Sequence, residues 1–327
     1  MKLFYKIILS FSLLICLNAC QKNIDLFVAD PVQIFADTVW QNNLPNNAAV
    51  ISLKNDLRIQ KGIDSFFYSA SGSVFSSGNI ALTIPPNGLI KNNGTVPMGT
   101  VKRESLLIQK KGDFIAMNMP TTINGKLLVT GGAFFLGLQN DNTLLRVSSG
   151  NKLTVRYNNN APVVNNNIYN AMLDSATGLF TRWELNNDTI FNKSNVVQNG
   201  YEIQTNKLQY VQTAHLLDTV GIAQTTLFLK LPANYTNTNT VAYVSFNNIE
   251  TVAAFTANVA TKKFVTPHLP VNKPITVVVI SKQNSDYYLG TLQTVTSIST
   301  ASSPMQEMNI IPIKKSLADI KSFLNTL

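Results

Sequence analysis

Apolar and polar residues alternate in short blocks along most of the chain. In Ile80-Ala81-Leu82-Thr83-Ile84 the strongly apolar residues fall at every second position, and Pro85-Pro86-Asn87-Gly88 ends the run. A period of two closed by turn residues predicts a half-buried strand. The pattern begins near Val50 and recurs over 100–108, 126–130, 133–138, 143–147 and 152–157. Asn124-Gly125 and Gln139-Asn140-Asp141-Asn142 carry turn chemistry, and Gly131-Gly132 reads as a bulge or a close backbone approach. Many short strands at such spacing predict a sandwich or barrel.

After the Asn-rich stretches 158–167 and 186–199, a strand pair is expected around Tyr201 to Tyr210, and then a second β set over 225–231, 241–246, 251–255, 275–280 and 287–296. Ile275-Thr276-Val277-Val278-Val279-Ile280 is apolar almost throughout, as a central strand would be. Near the end, Ser316-Leu317-Ala318-Asp319 reads as a capping box that opens a short helix, with Leu317, Ile320, Phe323, Leu324 and Leu327 on one side. So short a helix needs something to dock on. The expected fold is all-β, with two antiparallel β-sandwich domains and a short C-terminal helix. The expected boundaries are a signal peptide over 1–19, a tether over 20–48, a first β domain over 49–195, an interdomain segment over 196–222, a second β domain over 223–313 and the helix over 314–327.

The leader sets the expected compartment. Lys2 and Lys6 flank the start of an apolar run from Ile7 to Leu17, too short to span a bilayer and right for a secretory signal. The closing Leu17-Asn18-Ala19-Cys20 resembles the bacterial lipobox, which implies that Cys20 becomes the acylated first residue of the mature protein. Multiple acyl chains hold a protein stably at a membrane. Gln21 stands where an Asp would favour retention at the inner membrane, so the expected site is the outer membrane, with the acylated N-terminus as membrane partner. With Cys16 cut away and Cys20 lipidated, no disulfide can support the fold, and core burial has to.

Composition narrows the chemistry. Only 13% of the 327 residues are charged, while 39 are Asn; this favours turns over long amphipathic helices. The net charge of +9 is dispersed apart from pairs such as Lys110-Lys111, Lys262-Lys263 and Lys314-Lys315, and no basic stripe with interleaved aromatics suggests a nucleic-acid partner. Two Cys and two His leave little for a Cys/His metal site, and no cofactor is expected.

The block Gly78-Asn79-Ile80-Ala81-Leu82-Thr83-Ile84-Pro85-Pro86-Asn87-Gly88-Leu89-Ile90 resembles the signature of ZU5-like β domains. With Gly99-Thr100-Val101, Lys111-Gly112-Asp113, Met119-Pro120-Thr121-Thr122 and 125–135 following in order, it is similar to a group of uncharacterised Bacteroidota lipoproteins. The run from Tyr235 to Phe246, with Leu269-Pro270 before Ile275, resembles their second, transthyretin-like or immunoglobulin-like domain. The resemblance implies a fold and a compartment but no activity. Some ZU5-containing animal proteins cut themselves at His-Phe-Ser, yet here Leu216 follows His215 and Leu269 follows His268.

Candidate chemistry is sparse. His215 has Asp218 three residues on, but the chain contains no Gly-x-Ser-x-Gly elbow, and its five Glu and twelve Asp suggest no preferred carboxylate pair. Asn140-Asp141-Asn142 reads as a hairpin turn rather than a calcium loop. Trp40, Trp183 and Tyr287-Tyr288 could stack on sugar rings, and Trp183, between charged Arg182 and Glu184, is the best candidate for ligand stacking. Asp followed by Ser or Thr and a small or apolar residue resembles the O-glycosylation sequon of Bacteroidota envelope proteins; it marks Thr38, Ser175, Thr189 and Thr219, and the alternative is a turn capped by the Asp side chain. The expected function is therefore a non-catalytic structural, adhesion or scaffolding module at the envelope, with an envelope protein or glycan as partner. The alternatives are a glycan- or ligand-binding accessory lipoprotein and, more distantly, a hydrolase.

Overall fold

A computed structural model describes residues 39–77, 79–298 and 305–327. The first half of the chain forms strands β1 (Gly62–Tyr68), β2 (Ser73–Ser77), β3 (Ile80–Ile84), β4 (Leu89–Ile90), β5 (Gly99–Ile108), β6 (Thr122–Ile123), β7 (Lys126–Asn140), β8 (Thr143–Leu144) and β9 (Arg146–Val147). Next come β10 (Leu153–Asn158), β11 (Asn167–Leu173), β12 (Phe180–Leu185), β13 (Lys193–Val197), β14 (Gly200–Thr205) and β15 (Tyr210–Leu216). One sheet runs β1-β5-β7-β15-β11-β12, the facing sheet runs β13-β14-β10-β3-β2, and β4 pairs with β9 at the side. Phe134, Leu136 and Leu138 of β7 meet Leu82 of β3, Val155 of β10 and Ile203 of β14 in the core between the two sheets.

The second sandwich uses β16 (Gln224–Lys230), β17 (Thr240–Phe246), β18 (Val252–Ala254), β19 (Thr256–Asn258), β20 (Lys263–Pro270), β21 (Pro274–Gln283), β22 (Asp286–Val295), β23 (Met305–Asn309) and β24 (Ile313–Lys315). Its sheets run β19-β20-β16-β23 and β18-β17-β21-β22-β24. The fold is thus all-β and sandwich-like, as the periodicity predicts, and β16 and β23 depart from antiparallel order by running parallel.

Among the described residues three helices lie between the sandwiches: α1 (Ala49–Leu57), α2 (Lys111–Ala116) and α3 (Leu317–Leu324). Val50, Leu53 and Leu57 of α1, Phe114 and Ile115 of α2, and Ile320 and Leu324 of α3 fill a shared core. Leu106, Ile108 and Tyr210 face that core from the first sandwich, and Val241, Tyr243, Val278 and Ile280 face it from the second. The order of layers is therefore sheet, sheet, helices, sheet, sheet. It explains β21: Val278 and Ile280 enter the helical core while Val277 and Val279 enter the core of the second sandwich. Both faces of this strand are buried, and no polar alternation is possible.

Polar contacts lock the layers together. The buried Lys111 donates from Nζ to the carbonyls of Phe246 at 2.7 Å and Asn247 at 3.1 Å. The Tyr243 hydroxyl donates to Asn118 Oδ1 at 2.6 Å, and Thr121 and Val252 bond through backbone and side chain. The backbone N–H of Thr130 reaches the Glu250 carbonyl at 2.9 Å, and the described residues belong to one compact unit.

The sequence reading needs several corrections. The residues expected to open the first domain as strand form α1, whose apolar positions fall at helical spacing. α2 was not anticipated either; Asp113 Oδ2 accepts from the N–H groups of Gln109 and Lys110 and caps its start. The expected tether reaches into the folded body: Gln41 exchanges two hydrogen bonds with Asn237, and Trp40 packs on Phe264 at 5.0 Å. Residues 20–38 of that tether, like the leader, lie outside the described residues. The segment 196–222, expected to separate two domains, holds β14 and β15, which sit inside the sheets of the first sandwich; the connection shortens to 217–223.

Other expectations match in detail. Thr213 pairs with Gly132 and Ala214 with Thr130, so Gly131 is the bulged residue. A Cβ there would lie 2.6 Å from the Tyr201 hydroxyl, and Gly132 has φ +116. Asp141 and Asn142, with φ 49 and 61, turn the hairpin from β7 to β8. The capping box holds: Ser316 Oγ accepts from the Asp319 N–H at 3.0 Å, and Asp319 Oδ2 from the Ser316 N–H at 3.3 Å.

Candidate functional site

The aromatic side chains considered for stacking are engaged within the protein. Trp183 is 1% exposed, its ring meets Phe180 at 5.1 Å, and its Nε1 donates to the Pro120 carbonyl at 3.0 Å. It is a core residue, which corrects the expectation of ligand stacking. Tyr287 donates to Asp56, and Tyr288 meets Tyr235 edge-on at 5.8 Å.

Neither histidine is hydrogen-bonded to a hydroxyl among the described residues. His215 Nδ1 is 2.7 Å from Asn166 Oδ1, while the carboxylate of Asp218 accepts from the Val220 N–H. His268 sits with φ 61 where the register between β16 and β20 shifts. Among the described residues no group of three or more His, Cys, Asp or Glu could hold a metal ion.

The exposed sequon residues Ser175 and Thr189 and the half-buried Thr219 follow aspartates that cap their own turns. Asp174 Oδ1 accepts from the N–H groups of Ala176 and Thr177, Asp188 Oδ1 from that of Phe191, and Asp218 Oδ1 from that of Val220. The turns thus use the aspartates, while Ser175 and Thr189 stay exposed. Cys20 and Thr38 lie outside the described residues.

One constellation lies outside the histidine-based chemistry that the sequence suggests. Lys282 Nζ on β21 lies 2.7 Å from Ser52 Oγ on α1 and 2.7 Å from Asp56 Oδ2, and the Tyr287 hydroxyl donates to the same carboxylate oxygen at 2.9 Å. A serine–lysine pair is a known nucleophile–base arrangement, but the lysine must be neutral to take the proton. Here burial opposes the charges on both partners. The hydrogen bonds and charge of Asp56 nevertheless raise the Lys282 pKa, and those from Lys282, Tyr287 and Ser52 hold Asp56 below its ordinary value. Lys282 therefore stays cationic at neutral pH, and the group works as a clasp between α1 and the second sandwich.

Two clefts remain. The larger, about 860 Å³, lies where the β6–β7 turn, the 217–223 connection and β20 meet; Leu127, Leu217 and Pro267 give it an apolar lining, with Lys126 and His268 also on its walls. The second, about 670 Å³, opens between the start of β11 and β13 and is lined largely by asparagines. Its two buried amides are fixed by the protein. Asn166 bonds His215 and donates to the Tyr201 hydroxyl, and Asn192 accepts from Thr205 Oγ1 and the Asn206 N–H while donating to the Asp188 carbonyl. In the sequence both Asn-rich stretches read as loops, and only the packing of the two sheets brings them face to face. No family model, curated protein or solved structure matches this chain.

Proposed function

We propose that the chain is an outer-membrane lipoprotein anchored through Cys20, a non-catalytic binding or scaffolding module of the kind its sequence resembles, with ZU5-like and transthyretin-like sandwiches. The observation that carries the reading is the helical layer between the sandwiches. Every helix of the described chain is spent on joining two β units into one body, and neither of the two larger clefts is lined by a helix residue. A rigid body on an acylated stem suits presentation of a surface to a partner. The Ser52–Lys282 pair is consistent with this, because its lysine is held protonated.

The anchor is tested by fractionation of cells that carry Cys20→Ala. Release from the membrane fraction is expected, and an unchanged, palmitate-labelled membrane protein overturns the anchor. The non-catalytic reading is tested with a serine-reactive fluorophosphonate probe. No labelling of Ser52 is expected; labelling abolished by Ser52→Ala overturns it. Pull-down from detergent-solubilised envelope with the wild-type protein then identifies the partner.

A further inference from the structure

The amide-lined cleft has a composition that selects a ligand class. Asn165, Asn167, Asn186 and Asn195 join the buried Asn166 and Asn192 around it, with Lys193 as the only charged residue in its lining. An amide presents a donor and an acceptor side by side, as a sugar presents vicinal hydroxyls that both donate and accept. A polyanion needs several cations, and one lysine does not supply them. With no carboxylate or imidazole in the lining, a cationic ligand has no counter-charge either.

The cleft also has the two layers of a built site. Asn192 accepts two hydrogen bonds and donates two, the last to Asn206 Oδ1 at 3.1 Å, and is 3% exposed; Asn166 is 7% exposed and held from both ends. These residues shape the floor. The amides of Asn165 and Asn195 make no hydrogen bond within the described protein, so their donors and acceptors are free for a ligand. The edge strand β13 adds unpaired backbone groups along one wall.

We propose that this cleft binds a neutral oligosaccharide, held by amide and hydroxyl groups at the junction of β11 and β13. Its volume of about 670 Å³ lies within the range of small-ligand sites and leaves room for several sugar units. The inference rests on the binding half of the proposed function and is independent of the anchor, because fractionation reads one and ligand titration the other.

The test uses the purified full-length protein in detergent, titrated with neutral oligosaccharides from mannan, xylan and β-glucan, with heparin as a polyanion and a mixed peptide pool as the other ligand classes. Saturable binding of at least one neutral oligosaccharide is expected, weakened at least tenfold in the double variant Asn165→Ala, Asn195→Ala with an unchanged melting temperature. Asn166→Ala should weaken binding as strongly, and because it can also disturb the fold, the surface double variant decides. Binding to none of the three neutral families, binding the double variant leaves intact, or preference for heparin or peptide overturns the proposal.

Discussion

Gly112→Ala is the smallest change that should undo the helical layer. A Cβ built at Gly112 of α2 would lie 1.7 Å from the Leu324 carbonyl oxygen and 2.5 Å from its carbon, so the clash is with the backbone of α3 and no rotamer relieves it. Contact distances near 3.5 Å require α3 to retreat by about 1.5 Å or more, and a gap of about 1 Å already forfeits up to half of a dispersion contact. The anchors at stake are Ile320 and Leu324, 0% and 2% exposed. Each is worth about 1.5–3 kcal/mol when buried. Half of that pair's share is about 1.5–3 kcal/mol, against which alanine gains about 1 kcal/mol over glycine in helix propensity, leaving a net loss of about 0.5–2 kcal/mol. At about 2 °C per kcal/mol for a chain of this size the melting temperature should fall by about 1–4 °C, and amide exchange over 317–327 should accelerate. Ile320→Ala alone should cost about 2–5 kcal/mol; in the Gly112→Ala background it should cost less, a coupling of about 1 kcal/mol in a double-mutant cycle. An unchanged melting temperature for Gly112→Ala, or strict additivity of the two changes, would refute the reasoning.

Asp56→Asn should lower stability at neutral pH by at most about 1 kcal/mol, since the clasp is partly exposed. Because the folded pKa of Asp56 is depressed, its contribution is present above the unfolded value of about 3.9 and is lost as pH falls through the lower folded value. The difference between wild type and variant in thermal melts should therefore be flat from pH 5 to 8 and vanish in acid; a difference that grows in acid contradicts the assignment. The raised Lys282 pKa places its own loss at the alkaline end, above about 10.4. Trp183→Ala should cost about 3–5 kcal/mol by leaving a cavity, with oligosaccharide binding retained at temperatures where the variant stays folded; a stable variant that fails to bind would return Trp183 to the ligand. Gln212 is 0% exposed with neither amide atom hydrogen-bonded to the described protein, so Gln212→Met should raise stability by about 1 kcal/mol, and a lower melting temperature would show that the amide is satisfied.

Features written in consecutive residues were legible from the sequence. The β21 run, the Asn140–Asn142 turn, the Gly131 bulge and the capping box of α3 each depend on the local chemistry of a continuous stretch. The helices α1 and α2 were not legible, for two different reasons. α1 has apolar residues at i, i+3 and i+7, but Ala48 stands at its N-cap with no side chain to accept a hydrogen bond, and nine residues are too few to hold a helix without docking. α2 is six residues long and contains Gly112, whose value lies in the close approach of α3, a contact more than 200 residues away in sequence. β1 and β2 also hid, because Phe67 and Val74 are 73% and 77% exposed and blur the apolar face that alternation should reveal. In β20, Pro267 reads as a breaker, yet the register shift against β16 accommodates it.

Trp183 shows why the site was harder to read than the fold. Its charged neighbours Arg182 and Glu184 argue that β12 has one polar face, which holds, with both exposed and paired to each other. The other face of such a strand would meet a sandwich core or solvent, and here it meets neither, because the helices cover the outer face of the first sandwich. A sheet covered on both sides takes an aromatic on its outer face as readily as on its inner one, so an exposed platform can be inferred only once the layer count is known. The amide cleft depends on the same missing information. Asn165–Asn167 and Asn192–Asn195 are each ordinary polar stretches, and their chemistry becomes a site only when β11 of one sheet and β13 of the facing sheet end side by side. Local pattern fixes which face of a strand is apolar; which surfaces meet across the sandwich is set by packing between residues far apart in the chain, and the ligand chemistry resides there.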